Sequence, residues 1–146
     1  MRDAAIAPDV LHVKASITGI HAALAGAGTD IVAIAWDMPF VPPALVGAMT
    51  RRAAESTGWS AIVPVVNGRP EPLCAVYSRT AAPPIADAVR SGVIKNRDVL
   101  AKLPGVIWLE EPDLAPFGDL AVMFFNVNTP ADLHRAEEIA RKSGEH

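Results

Sequence analysis

The residues best suited to chemistry begin at Trp36-Asp37-Met38-Pro39-Phe40. Asp37 follows Ile31-Val32-Ala33-Ile34-Ala35, a continuous apolar run of the kind that forms a strand buried on both faces. A carboxylate ending such a strand stands at the carboxyl edge of the sheet, where open α/β sheets bind ligands. There it suits Mg2+, which takes one or two protein carboxylates and fills its other positions with water and substrate phosphates. The metal would neutralise charge on a triphosphate during nucleotidyl transfer. The same aspartate could instead cap the turn before Pro39, and spacing does not choose between the two roles.

A second candidate is Asn126-Val127-Asn128-Thr129-Pro130. If Ala121 to Val127 forms a strand, Asn126 and Asn128 fall two apart and share one side of its end. Their amides offer donors and acceptors to a heterocycle or a phosphate, and the following helix start offers backbone N–H groups. A plain polar turn between strand and helix would carry the same residues. Glu71-Pro72-Leu73, after the Asn67-Gly68 turn, reads as a loop leading into a strand. Arg69, Arg79, Lys95 and Arg97 are candidate anion contacts or simply solvated surface.

Other groups carry less. Leu24-Ala25-Gly26-Ala27-Gly28 has the glycines of a phosphate loop, but it follows a helix and precedes a strand. A phosphate loop needs the reverse order, so the segment reads as a helix terminator. His12, His21, His134 and His146 have no metal-ligand spacing. Cys74 is the single cysteine, which excludes an internal disulfide and a cysteine zinc ribbon. In its apolar strand it belongs to the core.

The elements that must position these groups alternate. Ser16 to Ala25 reads as a helix, with Ile17, Ile20, Ala23 and Leu24 on one face. Pro42-Pro43 opens a helix to about Glu55, since proline suits a first helical turn. Ala61 to Val66 is a short strand that Pro64 demotes towards an edge or a bulge. Leu73 to Tyr77 is the next strand. A helix from Pro83-Pro84 ends at Gly92, and a brief one runs from Asn96 to Leu103. Strands at Val106 to Leu109 and Ala121 to Val127 precede a final helix, with Thr129 as its cap and Asp132 in its first turn. Such alternation predicts an α/β domain, a mostly parallel sheet flanked by helices.

Composition narrows the class. The chain has 146 residues, 51% of them apolar, enough for one domain with a substantial core and too apolar for disorder. The net charge of −3 argues against a nucleic-acid partner. No leader-like apolar run opens the chain, and the longest apolar stretch, Ile20 to Trp36, is broken by Gly26, Gly28 and Asp30. A cytoplasmic protein without a membrane partner is expected.

Four segments in order resemble the MobA-like nucleotidyltransferase family. They are Ser16-Ile17-Thr18-Gly19-Ile20, Asp37-Met38-Pro39-Phe40 with Pro42-Pro43, the stretch from Asn67 to Tyr77, and Asn126-x-Asn128-Thr129-Pro130-x-Asp132-Leu133. The resemblance covers about Asp9 to Ile139. It implies a nucleotide-diphospho-sugar-transferase-like, Rossmann-like fold and transfer of GMP from Mg-GTP to molybdopterin, with pyrophosphate released. It further implies that Asp37 is the catalytic, magnesium-binding aspartate. Asp9, Gly19, Pro72, Leu73, Asn126 and Asn128 would bind substrate, the two asparagines on the molybdopterin side. The family's opening strand and its Leu-Ala-Gly-Gly-x-Ser-x-Arg-Met-Gly loop have no counterpart before Asp9. The expectation is therefore a single, N-terminally incomplete domain over residues 1–146, with weak or absent turnover by itself. Its uncovered sheet edge would favour homo-oligomers. Alternatives are a non-catalytic pterin- or nucleotide-binding module and a cytidylyl or sugar-nucleotide transferase of the same fold.

Overall fold

A computed structural model describes residues 9–11, 17–35, 38–93 and 95–144. The elements are β1 (Asp9–Leu11), α1 (Ile17–Ala27), β2 (Ile31–Ile34), α2 (Pro43–Ala54), β3 (Ala61–Val66), β4 (Arg69–Pro70) and β5 (Cys74–Tyr77). They continue as α3 (Ala82–Arg90), α4 (Asn96–Lys102), β6 (Val106–Leu109), α5 (Glu111–Leu114), α6 (Leu120–Met123) and α7 (Pro130–Gly144).

In the sheet β1 pairs parallel with β2, β5 runs antiparallel between β2 and β3, and β6 pairs parallel with β3. The four strands β1, β2, β3 and β6 thus share one direction, as expected, but the sheet is mixed because β5 runs against both neighbours. The cause is local. Asn67 and Gly68 both hold positive φ, at 53° and 75°, which is the backbone of a tight hairpin turn. A hairpin returns the chain antiparallel, so β4 and then β5 must oppose β3.

Consecutive strand residues face opposite sides, yet Ile31, Val32 and Ala33 are all 0% exposed. Both faces of β2 are therefore covered, as its unbroken apolar run implied. α1 packs on α3, α3 on α4, and α2 against β5. α2 presents Leu45, Met49 and Ala53 inward at helical spacing, with Pro43 in its first turn and Arg51 and Arg52 at its carboxyl end, where cations favour the helix dipole. α1 runs through Gly26 and stops at Gly28, whose φ of 65° closes it.

Two expectations change. β3 is not an edge strand, since β5 and β6 flank it and Pro64 is buried opposite Leu109. Nor is β3 itself bulged: it is continuous from Ala61 to Val66, and the extra residues lie in the chain that pairs with it. Pro64 has no N–H to give, and opposite it the partner chain swells: three steps along β3, Val65 to Ile62, are matched by six along the partner, Pro70 to Val76. The strand expected over Ala121 to Val127 is instead α6 followed by a loop. Asp119 caps α6 by accepting from the Ala121 N–H at 2.9 Å, and a short apolar run does not by itself distinguish strand from helix. No helix among the described residues is long and apolar enough to cross a membrane.

Candidate functional site

The carboxyl end of β2 is held from two sides. Ala35 N donates to Leu73 O at 2.8 Å, carrying the β2–β5 ladder one residue past the strand. Met38 N donates to Ala35 O at 3.2 Å, so the chain turns tightly there before α2. Met38 is buried and Phe40 half-buried. Trp36 and Asp37 lie outside the described residues.

Beside this turn stands the bulge Glu71-Pro72-Leu73. Glu71 N donates to Pro64 O at 2.8 Å, and Cys74 N donates back to Glu71 O at 3.1 Å. Leu73 is 8% exposed, its side chain part of the core. Pro72 is half-buried, and its carbonyl accepts from the Tyr77 hydroxyl at 2.5 Å. Burial pushes the Cys74 thiol up to about 12, and the nearby Glu71 carboxylate adds to the rise.

The third segment follows α6. Asn126 is half-buried and donates from its amide to Phe124 O at 3.4 Å, whereas Asn128 is exposed. The loop replaces the strand that would have put both side chains on one side. The start of α7 is filled by its own sequence. The Asp132 carboxylate accepts from Asn128 N at 3.1 Å and Thr129 N at 3.2 Å, and Thr129 Oγ1 accepts from Asp132 N at 3.0 Å. This is a reciprocal cap, and it occupies backbone donors that the sequence had offered to a phosphate.

The second and third motifs meet the first in different ways. Pro39 and Phe40, from the turn after β2, face Val127 and the α7 residues Leu133, Ala136 and Ala140 across a cleft of about 370 Å3. The cleft is mostly apolar. Leu133 is 54% exposed at its rim. The bulge joins the same region through the Ala35–Leu73 bond. Asp9 is not brought there: it pairs in register with Ile31 at the amino end of β2, the far end from Ala35. Gly19 is half-buried in the first turn of α1, on the connection that leaves β1 at its carboxyl end. Arg69, Arg79, Lys95 and Arg97 are exposed, and none lines the cleft. Tyr77 was missed as a site-related residue because it reads as one more apolar strand position. Asp132 was read only as a favourable charge, although Thr129-x-x-Asp132 carries the spacing of a reciprocal cap.

A mixed α/β sheet covered by helices, with a cleft beside the strand-end turn, is a Rossmann-like arrangement. The chain belongs to the MobA-like NTP transferase domain family, which residues 1–106 match. It is 36% identical over 139 residues to a probable molybdenum cofactor guanylyltransferase of Pelotomaculum thermopropionicum, covering 94% of this chain and 66% of that protein. It is 32% identical to the molybdenum cofactor guanylyltransferase of Desulfosudis oleivorans, covering 92% and 66%. Among solved structures it superposes on molybdopterin-guanine dinucleotide biosynthesis protein A of Archaeoglobus fulgidus with a TM-score of 0.76 at 36% identity, covering 89% of this chain and 65% of that one. The chain spans about two thirds of the length of these relatives.

Proposed function

We propose that this chain acts in molybdenum cofactor biosynthesis as a guanylyltransferase, joining GMP from Mg-GTP to molybdopterin and releasing pyrophosphate. The observation that carries the reading is the cleft that unites the turn after β2 with the segment around Val127, two motifs 87 residues apart in sequence. The names and similarity of the relatives support it.

In this reading Asp37 supplies the carboxylate for magnesium, with Glu71 a second carboxylate in the neighbouring bulge. Among the described residues no three His, Cys, Asp or Glu side chains converge into a metal cage. One or two carboxylates are what magnesium takes from a protein, keeping most of its shell for water and phosphates. When bound, the metal neutralises charge on the triphosphate. Asn126 and Asn128 hold the pterin substrate by amide hydrogen bonds. The apolar walls, Phe40 and Leu133 among them, exclude water from one side of the reacting groups. Nothing beyond positioning and charge neutralisation is asked of the protein, which is what phosphoryl-type transfer requires. Pro72, Leu73 and Gly19 border the substrates through their backbone, and Asp9 takes the guanine-side role only if the nucleotide reaches the amino end of β2.

Isothermal titration calorimetry with Mg-GTP and with molybdopterin tests the proposal. Saturable binding of both is expected. Binding of neither would overturn it, and binding of molybdopterin alone would reassign the chain as a pterin-binding module.

A further inference from the structure

Three consecutive residues of the bulge are each tied to a different part of the fold. Glu71 N reaches Pro64 O of β3, Pro72 O receives the Tyr77 hydroxyl, and Leu73 O receives Ala35 N at the end of β2. Two of these ties are ordinary backbone bonds of a sheet. The third is a side-chain bond that a core position does not need. Tyr77 is 0% exposed and the only tyrosine in the chain. Phenylalanine would bury nearly the same apolar surface without a polar atom to satisfy.

The sequence makes room for this bond. Residues 75 and 77 share one face of β5, and position 75 is alanine. The tyrosine ring can therefore lie along the strand and bring its hydroxyl back to a carbonyl five residues earlier. The segment it meets there is held to β3 through Glu71 N on Pro64 O, and Pro64 has no N–H to return a second bond. Pro72, which lies between the two backbone-tied residues Glu71 and Leu73, takes its own tie from the Tyr77 hydroxyl.

We propose that Tyr77 is a positioning residue: its buried hydroxyl fixes the Glu71–Leu73 bulge, and through the Leu73–Ala35 bond the turn after β2 that leads into the cleft. This rests on the functional reading above for what the turn does. The tie itself is independent of that reading. Tyr77 touches no substrate and acts on the site only through the bulge.

The experiment compares the full chain with Tyr77→Phe by amide hydrogen exchange and by Mg-GTP calorimetry. In the variant the Ala35 and Glu71 amides should exchange about three- to tenfold faster, while Val32 and Ile62 keep their protection. Mg-GTP should bind about three- to tenfold more weakly, with little change in melting temperature. Unchanged exchange at Ala35 and Glu71 overturns the tie. Faster exchange with unaltered affinity overturns the positioning role. If the wild-type chain takes up no Mg-GTP, the proposed function falls, and the exchange data still decide whether Tyr77 holds the bulge. Should Tyr77→Phe fail to fold, the wild type provides the test by nuclear magnetic resonance. A slowly exchanging Tyr77 hydroxyl proton close to Leu73 protons is expected, and a rapidly exchanging one contradicts the bond.

Discussion

At the scale of single residues, two buried groups tie stability to alkali. Cys74 has its thiol raised from 9.0 to about 12, first by burial and then by the Glu71 charge. Tyr77 is pushed up from 10.0 by burial and by its neighbour Cys74. Both folded values lie above the unfolded ones, so the folded chain holds protons that the unfolded chain releases. The stability these groups contribute is full below about pH 9 and is lost as pH rises towards about 12. Urea unfolding followed across that range should show a falling midpoint. Because Tyr77 is the sole tyrosine, its ultraviolet tyrosinate signal should appear together with unfolding and not before it. At the same scale, Asp37→Asn should weaken Mg-GTP binding about a hundredfold or more by calorimetry, with the melting temperature little changed. Asp37 was legible as a candidate because its chemistry follows from a strand end and a carboxylate. The contribution of Tyr77 was not, since it depends on the chain folding residue 72 back within reach of the Tyr77 hydroxyl, which the apolar pattern of β5 does not encode.

At the scale of elements, the chain's turns and caps carry much of the specificity. Gly105 approaches the Gly58 backbone so closely that an added Cβ would lie 2.2 Å from Gly58 O, and its φ is 66°. Ser60 reinforces this junction by bonding Pro104 O through its hydroxyl and Gly105 O through its amide. Gly105→Ala should therefore cost about 2 kcal/mol or more in denaturant titrations. Gly58→Ala has an equally positive φ but open space around it, and should cost only about 1 kcal/mol. Asp132→Ala removes an acceptor shared by two backbone amides at the start of α7, with an expected loss of about 1 kcal/mol in the same measurement. Most of these boundaries were legible: Pro43, Gly28, Gly92, Asn67-Gly68 and Thr129 each punctuate the chain where their backbone chemistry dictates. The segment Ala121 to Val127 was not, because an apolar run of that length suits a strand as well as a helix turn. Asp119, two residues before it, was the available helix signal.

At the scale of the whole molecule, the alternation of helices and strands predicted the class of fold, and the Asn67-Gly68 hairpin accounts for the reversed strands β4 and β5. The bulge opposite Pro64 places the 71–73 segment against the end of β2, and the packing of α7 brings the 126–133 segment to the turn beyond it. Sequence could list these motifs in order but could not bring them together, because their meeting depends on where α7 docks. The same geometry leaves Asp9 at the opposite end of β2. The central claim is that the cleft between Phe40 and Val127 is where the substrates meet. The most direct test is a map of backbone amide chemical shifts during titration with Mg-GTP and molybdopterin. The account predicts shifts concentrated at Ala35, Met38, Phe40 and Val127 to Thr129. Shifts concentrated instead around the separate cavity lined by Gly92, Lys95 and Lys102, or no saturable shifts at all, would contradict it.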